Sequence, residues 1–112
     1  MDLKVWQKAH NFVMEIYGHT KEFPVEEKYS LVSQLRRASV SIPANIAEGF
    51  ARKHRKEYVQ YLYIAQGSLE EAKYYILLSK DLCYLKESAY KKLVDLSEEV
   101  GRMLRGLINA LS

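Results

Sequence analysis

Cysteine is almost missing from this sequence. Cys83 stands alone among 112 residues, which excludes an intramolecular disulfide. Proline occurs only as Pro24 and Pro43, and glycine at five positions, too few for a linker or a collagen-like fibre. Long apolar runs are missing as well. Charged or strongly polar residues interrupt every apolar segment before it reaches the roughly 20 residues that a membrane-spanning helix needs. The opening MDLKVWQKAH lacks the apolar run of a secretory signal, so a cytoplasmic location is expected. Neither sign of charge dominates. Seventeen Lys and Arg oppose fourteen Asp and Glu for a net charge of +3, with a pI near 8.9. That balance permits nucleic acid or an acidic partner without demanding one.

Catalytic and metal-binding signatures are absent too. His10, His19 and His54 do not stand at ligand spacing from one another or from Cys83, and the first helix has no Glu-x-x-His pair of the di-iron type. Arg52 and His54 are separated by one residue, not the four to six of helical ribonucleases. No histidine lies near Asn45 to act as its base. No metal, cofactor or enzymatic activity is expected. The enzyme reading would revive if His10 or His19 met carboxylates in a closed pocket.

What the sequence does contain is helical periodicity. With 48% hydrophobic and 28% charged residues, it has the composition of one globular domain over residues 1–112, large enough to need no disulfide or metal. Val5, Ala9, Phe12 and Ile16 recur at helical spacing beside Trp6, Val13 and Tyr17. Asp2 is the expected N-cap of this first helix. Pro24 should end it by Lys21 to Phe23. Leu31, Leu35, Ala38, Ile42, Asn45 and Gly49 alternate steps of four and three, a bundle seam. Pro43 predicts a kink in this second helix, with the Ser39 and Ser41 hydroxyls meeting freed backbone groups; a stop at Ser41 and a restart is the alternative. Asn45 is read as a register-setting amide aimed at the Ser39 or Ser41 carbonyl. Gly49 is read as the left-handed residue that closes the helix.

The third helix repeats the four-three step through Tyr58, Leu62, Ala65, Leu69, Ala72, Ile76, Ser79 and Cys83. A second flank of Tyr61, Ile64, Tyr75 and Leu78 makes its apolar arc wider than one neighbour needs. The helix therefore either sits against two helices at once or faces another subunit, which makes Tyr61, Ile64 and Tyr75 candidate subunit contacts. Ala89, Leu93, Leu96, Val100, Met103, Leu107 and Ala110 mark a fourth helix beginning at Glu87 or Ser88. Short connections favour an all-α, antiparallel up-down-up-down four-helix bundle.

The blocks VWQKA, QLRRASVSIPANIAEG and GSLEEA carry a resemblance that spans the chain. It resembles the small bacterial four-helix bundle proteins encoded in intervening sequences of large-subunit ribosomal RNA genes, which are similar to the accessory variability determinant of diversity-generating retroelements. The resemblance implies a homo-oligomer, a ring of five bundles, with a nucleic-acid-binding role and no established catalysis. The chain departs from the family pattern at His54, where Ser or Thr is usual ahead of Glu57, and at Ala72 and Lys73, where Leu and Glu are usual. The first change weakens a capping box. The second makes that face more basic.

Arg52, Lys53, His54, Arg55 and Lys56 form the densest basic run. At the start of the third helix they suit phosphate, and five copies would form a basic belt. A solvated loop is the competing reading. Arg36, Arg37 and Lys73 are weaker candidates. Lys91, Lys92, Arg102 and Arg105 are interrupted by Asp95, Glu98 and Glu99 and read as a solvated face. Nine tyrosines, Tyr58, Tyr61, Tyr63, Tyr74 and Tyr75 among them, suit a core or an interface better than base stacking. Two functions remain open: non-specific binding of RNA or DNA by a homo-oligomeric bundle, or a scaffold for a protein partner such as a polymerase.

Overall fold

The computed structural model describes residues 3–112, so the expected cap Asp2 lies outside the described residues. The elements are α1 (Leu3–Thr20), a single 3-10 turn (Val25–Glu27), α2 (Leu31–Phe50), α3 (Arg55–Asp81) and α4 (Glu87–Leu111), with no strand among the described residues. The four helices make a bundle. Each packs against its neighbours in sequence, α1 closes against α4, and among the described residues the pairs α1–α3 and α2–α4 stay apart. At 1.5 Å per residue the 27 residues of α3 span about 40 Å, which accounts for the 43 Å long axis.

Side-chain pairs give the register. Gly49 of α2 lies against Tyr58 and Tyr61, while Ser41 meets Ser68. Between α3 and α4, Leu69 is beside Gly101, Lys73 pairs with Glu98 and Lys80 lies over Tyr90. Lys8 pairs with Glu99 and Glu15 with Lys92 across α1 and α4. In each case numbers ascend along one helix and descend along the next.

The predicted stripes of α1 and α3 enter the core, but α4 buries a face rotated from the predicted one. Leu96, Met103 and Leu107 are half-buried and Ala110 is exposed, while Ser97, Gly101, Leu104 and Ile108 are buried beside Leu93 and Val100. In α2, Ile46 is buried where Asn45 was expected. Val5, Phe12 and Ile16 from α1, Leu35, Ile42 and Ile46 from α2, Leu62, Leu69 and Ile76 from α3, and Leu93, Val100 and Leu104 from α4 are all fully buried. Each contributes about 1.5–3 kcal/mol by leaving water. The buried hydroxyls of Thr20, Ser39, Ser79 and Ser97 donate to carbonyls of their own helix, those of Ile16, Arg36, Tyr75 and Val94, at 2.7–2.9 Å. Donors satisfied so locally hold the core without drawing on another helix.

The structure corrects three further expectations. First, α2 runs unbroken across Pro43, so it does not stop at Ser41. The Ser39 hydroxyl turns to the Arg36 carbonyl and the Ser41 hydroxyl to Ser68, not to the carbonyl that Pro43 leaves open. Asn45, half-buried, donates from Nδ2 to the Ser41 carbonyl at 2.8 Å and to Ser41 Oγ at 2.9 Å. Second, Gly49 is not a left-handed terminator: no glycine among the described residues has positive φ, and α2 continues to Phe50 with Ala51 as a helical C-cap. It is small because α3 crosses there. A Cβ at Gly49 would lie 2.7 Å from Tyr61 Cβ and 3.0 Å from Tyr58 Cδ1. Third, Cys83 leaves the seam. It is exposed and follows α3 at φ 66°. Its N–H donates to the Lys80 carbonyl and that of Tyr84 to the Ser79 carbonyl, both at 2.9 Å. This is a Schellman closure with a cysteine where glycine is usual.

Candidate nucleic-acid interface

The turn between α2 and α3 is shaped by the close approach at Gly49. Tyr61, packed on Gly49, receives a hydrogen bond on its hydroxyl from Arg52 Nη2 at 2.7 Å. The same guanidinium stacks over the Tyr61 ring at 4.9 Å and reaches Glu48 at 3.5 Å. Arg52 thus staples the turn to both helices through Nη2. Lys53, Arg55 and Lys56 are exposed, and among the described residues none has a carboxylate within ion-pair distance. His54 caps α3 in extended geometry without a side-chain hydrogen bond. The first amides of α3 therefore add a partial positive charge to the same spot.

The weaker candidates separate. Arg36 is half-buried and faces α1: its Nε donates to Thr20 Oγ1 at 2.9 Å, Nη2 approaches the Tyr17 carbonyl at 3.5 Å, and the guanidinium lies 4.4 Å from the Tyr17 ring. It closes the end of α1, where carbonyls lack helical partners. Lys73 is held at 3.3 Å by both Glu70 and Glu98. Burial opposes its charge, but the two carboxylates outweigh that and hold its pKa above the ordinary value. Only Arg37 of the three is exposed.

The subunit-contact candidates also divide. Tyr61 serves the turn. Tyr75 is half-buried and donates to Glu71 at 2.9 Å; that bond, then burial, raises its phenol pKa. Ile64 is 52% exposed. The outward rings that spacing alone did not single out are Tyr63 and Tyr74, 55% and 58% exposed. They could be found in the sequence only by setting the helix phase against the buried Leu62, Leu69 and Ile76.

A groove of about 480 Å³ runs beside the turn between α3 and the end of α4, lined by Arg55, Lys56, Val59, Gln60, Tyr63, Leu111 and Ser112. Elsewhere, His10 stacks on Trp6 at 5.2 Å. His19 lies 3.4 Å from Glu15, a carboxylate shared with Lys92 on an open surface. His19 and Glu22 also line an open groove of about 430 Å³ with Tyr84, Lys86 and Lys92. Among the described residues no group of three or more His, Cys, Asp or Glu could hold a metal ion, and no helix is long and apolar enough to cross a membrane.

The chain is similar to a solved structure described as a protein of unknown function from the S23 ribosomal protein family of Bacteroides thetaiotaomicron. The two are 27% identical, with a TM-score of 0.84 over 93% of this chain and 97% of that one. No curated protein matches the chain by sequence. Neither the family description nor that of the solved structure names a catalytic activity. Residues 1–106 match the family model described as 23S rRNA-intervening sequence protein, and the chain belongs to that family.

Proposed function

We propose that this protein is a non-catalytic, self-associating helical bundle that binds nucleic acid without sequence preference through Lys53, Arg55 and Lys56. The observation that carries this reading is their exposure on one turn with no carboxylate partner among the described residues. Such cations keep their charge for an external anion, and a phosphate backbone offers anions in series. Arg52 positions the turn, and Arg37 extends the basic surface onto α2. Arg36 and Lys73, proposed on sequence as binding residues, are assigned to the fold instead.

Self-association has its own support. Tyr61, Ile64 and Tyr75 recur at helical spacing on the side of α3 toward α2, where Ile64 is 52% exposed. A ring built through this face, five members in the family-based reading, would repeat the basic turn around its circumference and add the electrostatic attraction of each copy.

The test is an electrophoretic shift titration of RNA and of DNA with the purified protein at several salt concentrations, beside light scattering at micromolar protein. The expected result is binding that weakens steeply with salt and is lost in the double variant Lys53→Glu/Lys56→Glu. Arg36→Ala should retain affinity while losing stability. Absence of binding to either nucleic acid at low salt would refute the ligand assignment and leave the protein-scaffold reading. A monomer by light scattering would refute the assembly.

A further inference from the structure

We propose that the groove between α3 and the end of α4 seats an unpaired base of a single-stranded nucleic acid, with the Tyr63 ring as stacking platform and Arg55 and Lys56 as phosphate contacts. This inference rests on the nucleic-acid reading above and narrows it to single strands.

Tyr63 is 55% exposed, and among the described residues its ring stacks on no other and its hydroxyl has no hydrogen-bond partner. Lys56, Val59 and Tyr63 recur at helical spacing and so share a face. Lys56 and Tyr63 are about 10 Å apart along the helix axis, close to the rise of three stacked nucleotides at about 3.4 Å each. The opposite wall is α4. Leu111 and Ser112, at its end, line the groove opposite Val59 and Tyr63. Further along α3 the surface changes character, because Glu70 and Glu98 hold Lys73 there. The seat is thus short and cationic at its open end.

Charge selects the occupant. A second copy docked face to face here would set cations on cations, whereas a polyanion meets them with opposite charge. A tyrosine beside cations offers any base a π-face without reading its edge. A duplex keeps its bases stacked inside, and so would touch the cations but not the ring. Tyr63 lies on the α4 side of α3, away from the stripe of Ile64 and Tyr75, so base seating and self-association do not compete.

The experiment is fluorescence anisotropy with one labelled 15-nucleotide strand, as RNA and as DNA, alone and annealed to its complement. Tyr63→Ala should weaken single-strand binding by roughly tenfold and leave duplex binding unchanged. Tyr63→Phe should retain affinity. The salt slope should stay the same in Tyr63→Ala and fall by about one in Lys56→Gln, which separates stacking from phosphate contact. Equal single-strand affinity in Tyr63→Ala and the native protein would overturn the seat. If the Lys53→Glu/Lys56→Glu variant still lost binding, the broader reading would stand without it. No binding to either form would overturn both.

Discussion

Replacing Gly49 by alanine isolates what the crossing of α2 and α3 demands. Two effects of opposite sign meet there. Alanine is favoured over glycine inside a helix by about 1 kcal/mol. Against this, the new methyl would sit 2.7 Å from Tyr61 Cβ, 3.0 Å from Tyr58 Cδ1 and 3.2 Å from the Tyr58 carbonyl oxygen. A Cβ and a carbonyl cannot rotate aside as a flexible side chain can, so the two helices must part. Overpacking of this kind costs about 1–3 kcal/mol. Gly106 and Gly67, in α4 and α3, provide the controls, since a Cβ at either meets nothing within 4 Å. The propensity gain is common to all three, leaving the clash as the difference. Gly49→Ala should therefore be less stable than Gly106→Ala by about 2 kcal/mol, near 10 °C in melting midpoint for a domain of this size. Urea and thermal unfolding followed by far-ultraviolet circular dichroism would measure it, at one protein concentration because association shifts the midpoint. A Gly49→Ala midpoint equal to or above that of Gly106→Ala would refute the close-approach argument. Because Tyr61 also holds Arg52, the parted helices should weaken nucleic-acid binding as well.

The turn before α2 should make stability depend on pH. Glu27 accepts hydrogen bonds from Ser30 at 2.6 Å and Tyr84 at 2.9 Å; these, Ser30 foremost, hold its pKa below the ordinary value. Its contribution is present above the ordinary glutamate value and is lost as pH falls through the folded one. Tyr84 is raised, chiefly by the same hydrogen bond to Glu27, so its contribution is present below the ordinary tyrosine value and is lost as pH rises through the folded one. Melting midpoints measured against pH should fall at both ends in the native protein and less at both ends in Glu27→Gln; identical profiles would contradict the assignment. Cys83→Gly should raise the midpoint, because a left-handed conformation costs a non-glycine residue roughly 1–2 kcal/mol, partly offset by glycine's freedom in the unfolded chain. A net gain of about 0.5–1 kcal/mol is expected in urea unfolding, and a lowered midpoint would refute the reading of the α3 terminus.

Much of the fold was legible in the sequence because helix phase is a local property. The recurrence of Val5, Phe12 and Ile16 or of Leu62, Leu69 and Ile76 identifies a buried stripe whatever lies opposite. Pro24 marks the end of α1 by its own covalent geometry. The basic turn was legible for the same reason, since its cations are consecutive. Arg36 was not. Its partners Thr20 and Tyr17 stand on another helix, and spacing within α2 shows only that it flanks a seam.

Sequence alone therefore determined the number of helices, the faces that α1 and α3 bury and the place where positive charge is concentrated, while the phase of α4 was set by its packing. Tertiary structure decided which cations remain available. It turned Arg36, Arg52 and Lys73 toward partners in the fold, left Lys53, Arg55 and Lys56 outward, and set Tyr63 in one groove with Arg55 and Lys56 beside the end of α4. It also gave Gly49 its meaning as a crossing point. The physical reason is the same throughout: periodicity within a helix sets the direction of a side chain relative to its own axis, whereas its contacts depend on what the neighbouring helix brings to that height.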